Sequence, residues 1–207
     1  MNRTIVVTGT DTDVGKTVFA AGLAAALDAK YWKPVQAGLE DGSDAARVAA
    51  LGVPEAHILP EAYRLTTPCS PHRAAELDSV AIDPARLVLP EVEGPLVVEG
   101  AGGALVPITC ELLYADLFAQ WRAPVVVVAR TALGTINHSL LTIEALRKRG
   151  VPIIGMAFVG EAQEDSEATI CAIGKVARLG RLPLLDPLDA DSLAAAFADN
   201  FDLGAFA

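Results

Sequence analysis

The chain has 207 residues, a formal net charge of −10 at pH 7, and 52% apolar residues. This length favours one domain, residues 1–207, with a substantial core. Only 16 residues are lysine or arginine, so the basic surface that nucleic-acid binding requires is not expected. The longest apolar runs are too short to cross a bilayer, no leader peptide is recognisable, and three scattered cysteines suit neither zinc nor disulfides. We therefore expect a cytoplasmic protein that binds neither nucleic acid nor membrane.

Apolar runs alternate with helical stretches along the whole chain, which is typical of βαβ units. The pattern predicts an α/β fold, with a doubly wound, mainly parallel sheet, helices on both faces, and ligands at the carboxyl ends of the strands. The segment Leu59–Pro90, rich in proline, is expected to be the least regular. In chain order, the elements are predicted as a strand at Thr4–Thr8, helix Lys16–Ala29, strand Tyr31–Lys33, helix Asp44–Leu51, strand Leu96–Val98, helix Leu113–Trp121, strand Pro124–Ala129, helix Asn137–Arg149, strand Ile153–Phe158, helix Glu167–Leu179, a weaker strand near Arg181–Leu184, and helix Asp191–Ala198.

The first strand leads into the sequence VTGTDTDVGKT, which predicts a phosphate-binding loop of the P-loop NTPase type. Gly9 and Gly15 permit a tight backbone path, and the following helix offers its free N–H groups and positive dipole end. Lys16 would reach the β- and γ-phosphates, and the Thr17 hydroxyl would complete a magnesium shell. Five residues separate the two glycines instead of the usual four. The alternative is an ordinary turn that carries an exposed lysine.

Lys33 and Asp44 follow the loop as candidate charged site residues. Lys33 lies in an apolar segment that suggests a central strand, where a lysine requires a partner. It could stabilise charge at an anionic reacting centre, or its stem could pack while its ammonium group reaches water. Asp44 could bind magnesium, but Ser43 or Asp44 would serve equally well as a helix N-cap.

Glu99 is the strongest candidate for a magnesium carboxylate. It ends the buried strand of PLVVEGAGG, and Gly100, Gly102 and Gly103 would let the backbone approach a triphosphate. Magnesium takes hard oxygen ligands and usually one or two carboxylates, whereas a buried charge without a partner is costly. The alternative is a carboxylate that leaves the sheet into solvent.

Together these residues resemble the dethiobiotin synthetase family, the ATP-dependent ligases of biotin biosynthesis. The resemblance depends on VTGTDTDVGKT, KPVQAG, GSDA, SPHRAA, VEGAGG and GTINHSLLT, which stand in the family's order between Val7 and Thr142. The family's own loop has the same five-residue spacing, so the unusual loop matches this family. The C-terminal twenty residues match poorly.

The resemblance implies a reaction and a set of ligands. Substrates would be 7,8-diaminononanoate, CO2 or bicarbonate, and ATP with Mg2+, and the products dethiobiotin, ADP and phosphate. One amine would form a carbamate, the carbamate would attack the γ-phosphate to give a carbamic–phosphoric anhydride, and the second amine would close the ring. The family acts as a homodimer, in which the substrate carboxylate rests at the N-terminus of a partner helix.

Carried over residue by residue, the family's site gives four overlapping sets. Lys16 and Lys33 would be catalytic, and Thr17, Asp44 and Glu99 would hold magnesium. Substrate would contact Thr12, Lys33, Ala37, Gly134, Thr135, Ile136 and Asn137. The nucleotide would contact Asp13, Val14, Gly15, Lys16, Thr17, Val18, Asp44, Glu99, Gly100, Ala101, Gly102, Pro183, Leu184 and Leu185.

Two departures from the family pattern affect binding. Ala37 stands where the family often has serine or threonine, so one substrate hydrogen bond is expected to be absent. Val159 and Gly160 stand where many members read adenine with an asparagine. The sequence therefore predicts weak discrimination among nucleotide bases.

Two other protein classes share parts of the pattern. A MinD- or ParA-like ATPase switch would carry a lysine at the place of Asp11 and a basic element for membrane or DNA, and the tail DADSLAAAFADNFDLGAFA has no lysine or arginine. A cobyrinate diamide synthase would need an additional amidotransferase domain, for which 207 residues leave no room.

Overall fold

A computed structural model describes residues 3–40 and 42–206 of the chain. Within these ranges, three short 3-10 turns, Glu55–His57, Pro84–Arg86 and Leu203–Phe206, accompany the strands and longer helices. The other elements are β1 (Thr4–Gly9), α1 (Lys16–Ala26), β2 (Lys30–Trp32), β3 (Val35–Ala37), α2 (Asp44–Ala50), β4 (Tyr63–Leu65), α3 (Pro71–Leu77), β5 (Leu96–Gly103), α4 (Tyr114–Trp121), β6 (Val125–Arg130), α5 (Thr135–Lys148), β7 (Ile153–Val159), α6 (Glu164–Gly174), β8 (Ala177–Leu182) and α7 (Ala190–Asn200).

Six strands form one sheet in the order β2-β5-β1-β6-β7-β8, and every neighbouring pair is parallel. Strand β6 shows why its sequence is uniformly apolar. Val125 and Val127 pack into the core on one face, while Val126 and Val128 pack into the core on the other. The predicted doubly wound α/β fold is confirmed, and the loop after β1 opens near the middle of the sheet.

Helices cover both faces of this sheet. The first core receives side chains from α4, α5 and α6, including Phe118, Ile143 and Ile170. The second core receives α1, α2 and α7, and there Phe19 of α1 contacts Phe197 of α7. The C-terminal segment therefore packs against the helix that follows the phosphate loop. None of the described helices combines the length and apolar character needed to cross a membrane.

The structure corrects the predicted position of Lys33. Strand β2 ends at Trp32, before Lys33, and it lies at the edge of the sheet. The apolar residues Tyr31 and Trp32 suggested a central strand, and both side chains are indeed buried. Covering segments bury this edge strand, and one of them forms a bridge between Ile58 and Tyr31.

Boundaries near the C-terminus and in the proline-rich segment also differ from prediction. Helix α6 ends at Gly174, because Lys175 takes a left-handed conformation with φ of 48°, and β8 begins at Ala177. The predicted helix over Glu167–Leu179 was therefore too long, and the strand expected at Arg181–Leu184 was placed too late. The segment Leu59–Pro90 contains β4 and α3, which were missed because three-residue and seven-residue elements give little periodicity.

Candidate active site

The loop between β1 and α1 has the backbone that a phosphate cradle needs. Gly15 has φ of +91°, and a Cβ atom there would lie 2.8 Å from Val159 Cγ1. A Cβ atom at Gly9 would lie 2.9 Å from the Asp11 carbonyl oxygen. Both positions therefore require glycine. Lys16 is buried, and its ammonium group donates to the Asp11 carbonyl oxygen at 2.8 Å, so the alternative of an exposed lysine is wrong.

Two carboxylates, a hydroxyl and a lysine meet beside this loop. Thr17 Oγ1 lies 2.8 Å from Glu99 Oε1 and 3.2 Å from Asp44 Oδ1. The Lys33 ammonium group donates to Asp44 Oδ2 and, at 3.2 Å, to Glu99 Oε1. Glu99 is only 1% exposed and Lys33 only 4% exposed. The alternatives in which either charge reaches solvent are therefore wrong.

Local structure explains how Asp44 comes to face the other charges. Ser43 is the N-cap of α2, because its Oγ accepts a hydrogen bond from the Ala46 N–H group. The Asp44 side chain is thus released from capping. Its backbone N–H group donates to Gln36 Oε1 at 3.1 Å, and Gln36 is buried and donates to the Gly38 carbonyl oxygen at 3.0 Å. Gln36 anchors the start of α2 to β3, and sequence analysis missed this role.

Burial and pairing set the protonation of these groups. Burial by itself would lower the pKa of Lys33, but the charges of Glu99 and Asp44 outweigh it and raise that pKa above its ordinary range. Lys33 therefore remains a cation. Burial raises and Lys33 lowers the pKa of Asp44, and the net shift is downward. Burial is the largest influence on Lys16, whose pKa is lowered.

Tyr31 is a second neighbour of Glu99 that sequence analysis did not identify. Its hydroxyl group donates to Glu99 Oε2 at 2.7 Å, and the whole side chain is buried. Burial, followed by the charge of Glu99, raises the pKa of Tyr31 well above its ordinary value, so the hydroxyl keeps its proton. Sequence analysis placed Tyr31 only in the predicted strand Tyr31–Lys33. The sequence carries no signal for this contact, because the contact depends on the pairing of β2 with β5.

A cavity of about 850 Å³ opens over these groups. Most of the predicted site residues line it: Thr12, Asp13, Gly15, Lys16, Thr17, Val18, Lys33, Ala37, Asp44, Glu99, Ala101 and Gly102. Additional lining residues come mainly from the segments after β3 and β4, and they include Gln36, Gly38, Arg47, Cys69 and Ser70. The cavity thus has a phosphate-loop side and a second side formed by segments whose contribution was not predicted.

Other predicted contact residues stand away from this cavity wall. Val14 and Gly100 are buried behind it. Pro183, Leu184 and Leu185 follow β8, with Leu184 exposed. Gly134, with φ of +94°, caps α5, and Thr135, Ile136 and Asn137 form the first turn of that helix. Within one copy of the described chain, the first turn of α5 does not line the cavity.

The oxygen donors fit a magnesium ion. Thr17, Asp44 and Glu99 place one hydroxyl and two carboxylates together on the cavity wall beside the loop. Magnesium typically takes one or two carboxylates and completes its octahedron with phosphate oxygens and water. Over residues 3–40 and 42–206, no three His, Cys, Asp or Glu side chains form a metal-binding group.

Fold and site together define a nucleotide-binding α/β protein of the P-loop class, and comparisons with known proteins agree. A family model described as an AAA domain matches residues 3–192. A ParA family ATPase from Chlorobium tepidum is 12% identical with a TM-score of 0.54, and each chain is covered to 96%. The cell division ATPase MinD from Pyrococcus furiosus is 13% identical with a TM-score of 0.56, with 96% of this chain and 98% of that one covered. At such identities these two likenesses show the fold alone.

Curated relatives show the family. The ATP-dependent dethiobiotin synthetase of Novosphingobium aromaticivorans is 70% identical over 203 residues, which cover 98% of each chain. The enzyme of the same name from Rhizorhabdus wittichii is 67% identical over 208 residues and covers 100% of each. A third, from Rhodopseudomonas palustris, is 63% identical, with 100% of this chain and 97% of that one covered. The chain belongs to the ATP-dependent dethiobiotin synthetase family, and the resemblance predicted from the motifs is confirmed.

Proposed function

We propose that the chain, acting as one domain over residues 1–207, is an ATP-dependent ligase that forms dethiobiotin from 7,8-diaminononanoate and CO2. ADP and phosphate are the other products. The observation that carries this proposal is the meeting of Lys16, Thr17, Lys33, Asp44 and Glu99 on one cavity wall beside a phosphate loop. Family membership supplies the substrates.

The reaction consists of three bond-forming steps. One amine of the substrate adds to CO2 and loses a proton, which gives a carbamate. A carbamate oxygen then attacks the γ-phosphorus of ATP, ADP leaves, and a carbamic–phosphoric anhydride remains. The second amine attacks the carbonyl carbon, loses a proton and expels phosphate, which closes the cyclic urea. Negative charge is present on the reacting oxygens throughout, so cations contribute most to catalysis.

The two lysines act on different parts of this charge. Lys16 begins α1 directly after the loop and neutralises the phosphates bound there. Lys33 stays protonated between two carboxylates and stabilises charge on the carbamate and on the transferred phosphoryl group. Thr17, Asp44 and Glu99 hold magnesium, which when bound neutralises charge on the β- and γ-phosphates. Thr12 and Ala37 line the substrate side of the same cavity.

The substrate's distal carboxylate is proposed to bind the first turn of α5, Gly134–Asn137, of a second copy in a homodimer. A helix N-terminus suits an anion, and the neighbouring Leu133 is fully exposed in one copy. Pro183, Leu184 and Leu185 are proposed to flank the base, and Asp13, Val14, Gly100 and Ala101 to lie along the triphosphate. The three cysteines are free thiols, which supports a reducing cytoplasm.

The test uses purified protein with 7,8-diaminononanoate, bicarbonate, Mg2+ and ATP, and follows dethiobiotin by mass spectrometry together with ADP. Lys16→Ala and Lys33→Ala are expected to abolish both products. Lys30→Ala is the matched control, because Lys30 belongs to β2 but its ammonium group donates to the Ala56 carbonyl oxygen, away from the cavity. ADP release that does not depend on the diamine would overturn the ligase function and leave only the phosphate loop.

Mixing two inactive variants tests the shared site. Lys33→Ala damages the cavity of its own copy, whereas Asn137→Asp places a negative charge at the start of α5. If the first turn of α5 serves the cavity of the other copy, mixed dimers regain one intact site and activity returns. Absence of any recovery, with mixed dimers verified by native mass spectrometry, contradicts the proposed partner contact.

A further inference from the structure

Tyr31 is buried in the second core, yet its hydroxyl group is aimed at a site residue. In the parallel pair of β2 and β5, Tyr31 stands opposite Val97, and both side chains lie in the same core. Glu99 comes two residues after Val97, so its side chain projects on the same face of the sheet. The phenol ring of Tyr31 therefore extends along β5 and reaches Glu99 from inside the core.

The two oxygens of Glu99 are divided between the core and the cavity. Oε2 accepts the Tyr31 hydroxyl hydrogen bond at 2.7 Å. Oε1 lies 2.8 Å from Thr17 Oγ1 and 3.2 Å from the Lys33 ammonium group, among the groups that line the cavity. One carboxylate oxygen is thus held by the core, and the other faces the groups proposed to bind magnesium.

We propose that Tyr31 is a positioning residue for magnesium. Tyr31 acts through Glu99: its hydroxyl group fixes Oε2, so that Oε1 is presented to the ion. The proposal rests on the proposed function only for the identity of the metal. A buried carboxylate oxygen without a donor is costly. Without the hydroxyl group, Glu99 is expected to rotate until Oε2 takes a donor that now serves Oε1, and the metal site loses its preset orientation.

Hydrogen bonds to the far side of a metal ligand typically change metal affinity or activity by about 10–100-fold. Tyr31→Phe removes only the hydroxyl oxygen and keeps the ring in the core. We expect the variant to bind Mn2+, measured by electron paramagnetic resonance in the presence of ADP, about tenfold more weakly than the parent protein. ADP affinity without metal is expected to stay unchanged. In turnover, the Mg2+ concentration needed for half-maximal rate is expected to rise more than kcat falls.

Tyr63→Phe is the matched control. Tyr63 is also largely buried, and its hydroxyl group accepts a hydrogen bond from the Asp83 N–H group at 2.8 Å, away from the cavity. This variant removes an equivalent buried hydroxyl group and should leave Mn2+ affinity unchanged. Thermal unfolding without ligands measures the purely structural cost of each substitution. Equal Mn2+ affinity in the Tyr31 and Tyr63 variants overturns the proposal.

A crystal structure of the unmodified protein with Mg2+ and ADP gives a test that needs no variant. The proposal requires the Tyr31 hydroxyl group to contact Oε2 while Oε1 faces the metal or its water shell. A Glu99 that binds the metal through Oε2, or a Tyr31 hydroxyl that points elsewhere, overturns it. The Mn2+ binding measurement and this crystal structure do not depend on the ligase reaction. Failure of the proposed function would instead be recognised by the absence of dethiobiotin in the turnover assay.

Discussion

Glu99 and Glu167 are equally buried, each about 1% exposed, but their surroundings differ in kind. Glu167 belongs to α6, and its oxygens accept from Arg178 and from the Gln163 N–H group, with Arg181 3.1 Å away. Glu99 has a tyrosine, a threonine and a single lysine as partners. It also faces the cavity beside the phosphate loop.

The partners of a buried carboxylate decide whether it can take part in chemistry. Glu167 is not among the residues that line the cavity beside the phosphate loop, and it forms ion pairs with Arg178 and Arg181, so this cluster holds β8 against α6. The donors to Glu99 are the Lys33 ammonium group and the Thr17 hydroxyl group. A cation can replace these donors, and an anionic substrate can share them. A buried charge therefore indicates a site when its partners face space that a ligand can enter.

The largest expected difference is in turnover. Glu99→Gln should lower kcat/KM for dethiobiotin formation by at least about 100-fold, the upper end of what even outer partners of metal ligands cost. Glu167→Gln should leave kcat/KM within about threefold. Its arginine partners belong to β8, the edge strand that lies three strands from β1, which leads into the phosphate loop. Similar losses in both variants would contradict the functional distinction between the two carboxylates.

The free energy of unfolding should respond to substitution of Glu167. Glu167→Gln places an amide where arginine side chains donate, and is expected to lower the free energy of unfolding by about 1–3 kcal/mol. Urea denaturation measures this loss. The control is Glu161→Gln, an exposed glutamate just before α6, which should change stability by less than about 0.5 kcal/mol. The stabilisation by Mg2+ and ADP should be equal in the parent protein, Glu167→Gln and Glu161→Gln. The prediction is wrong if Glu167→Gln and Glu161→Gln have the same free energy of unfolding.

Sequence reasoning reached the sheet and the phosphate loop because their signals are local. Apolar runs that are buried on both faces need no partner to be recognised, and Gly15 with Lys16 stand together in the chain. It placed Lys33 on a central strand because a covered edge strand has the same apolar sequence as a central one. Strand order is a property of pairing, which one sequence does not contain.

Sequence analysis named candidate site residues, but it did not predict how their side chains are arranged in space. That Asp44 faces Glu99 depends on Ser43 taking the cap and on Gln36 holding the start of α2. Tyr31 was missed because a hydrogen bond between residues 68 apart in sequence leaves no local pattern. Glu167 was missed for the same reason, since its arginines belong to a strand that was placed too late.

A smaller effect is expected from pH. The folded-state pKa of Asp44 lies below its ordinary value of 3.8, so its ionised form contributes stability that is present above pH 3.8 and is lost as the pH falls through the folded pKa. The gap in unfolding free energy between the parent protein and Asp44→Asn should therefore be largest near neutral pH and close in acid. Asp199→Asn, at an exposed position in α7, is the control for removal of a surface carboxylate. A gap that widens in acid would reverse the assigned sign.

The smallest expected effect is the difference in kcat/KM between nucleotide bases. It depends on the base end of the site, in contrast to the phosphate end. Val159 packs against Gly15, and a side chain at Gly160 would come within 2.4 Å of Thr131 Oγ1, so an amide has no place at residue 160. We expect kcat/KM for ATP, GTP and CTP to agree within about tenfold, a difference below about 1.4 kcal/mol.

Val159→Asn tests whether the missing amide is the cause of this tolerance. One new hydrogen bond to adenine contributes about 0.5–1.5 kcal/mol, so the preference for ATP over CTP should rise several-fold while Mn2+ affinity stays constant. Val18→Ala, on the phosphate side of the cavity, is the control and should leave the ratio between bases unchanged. A strong ATP preference in the parent protein would contradict the prediction.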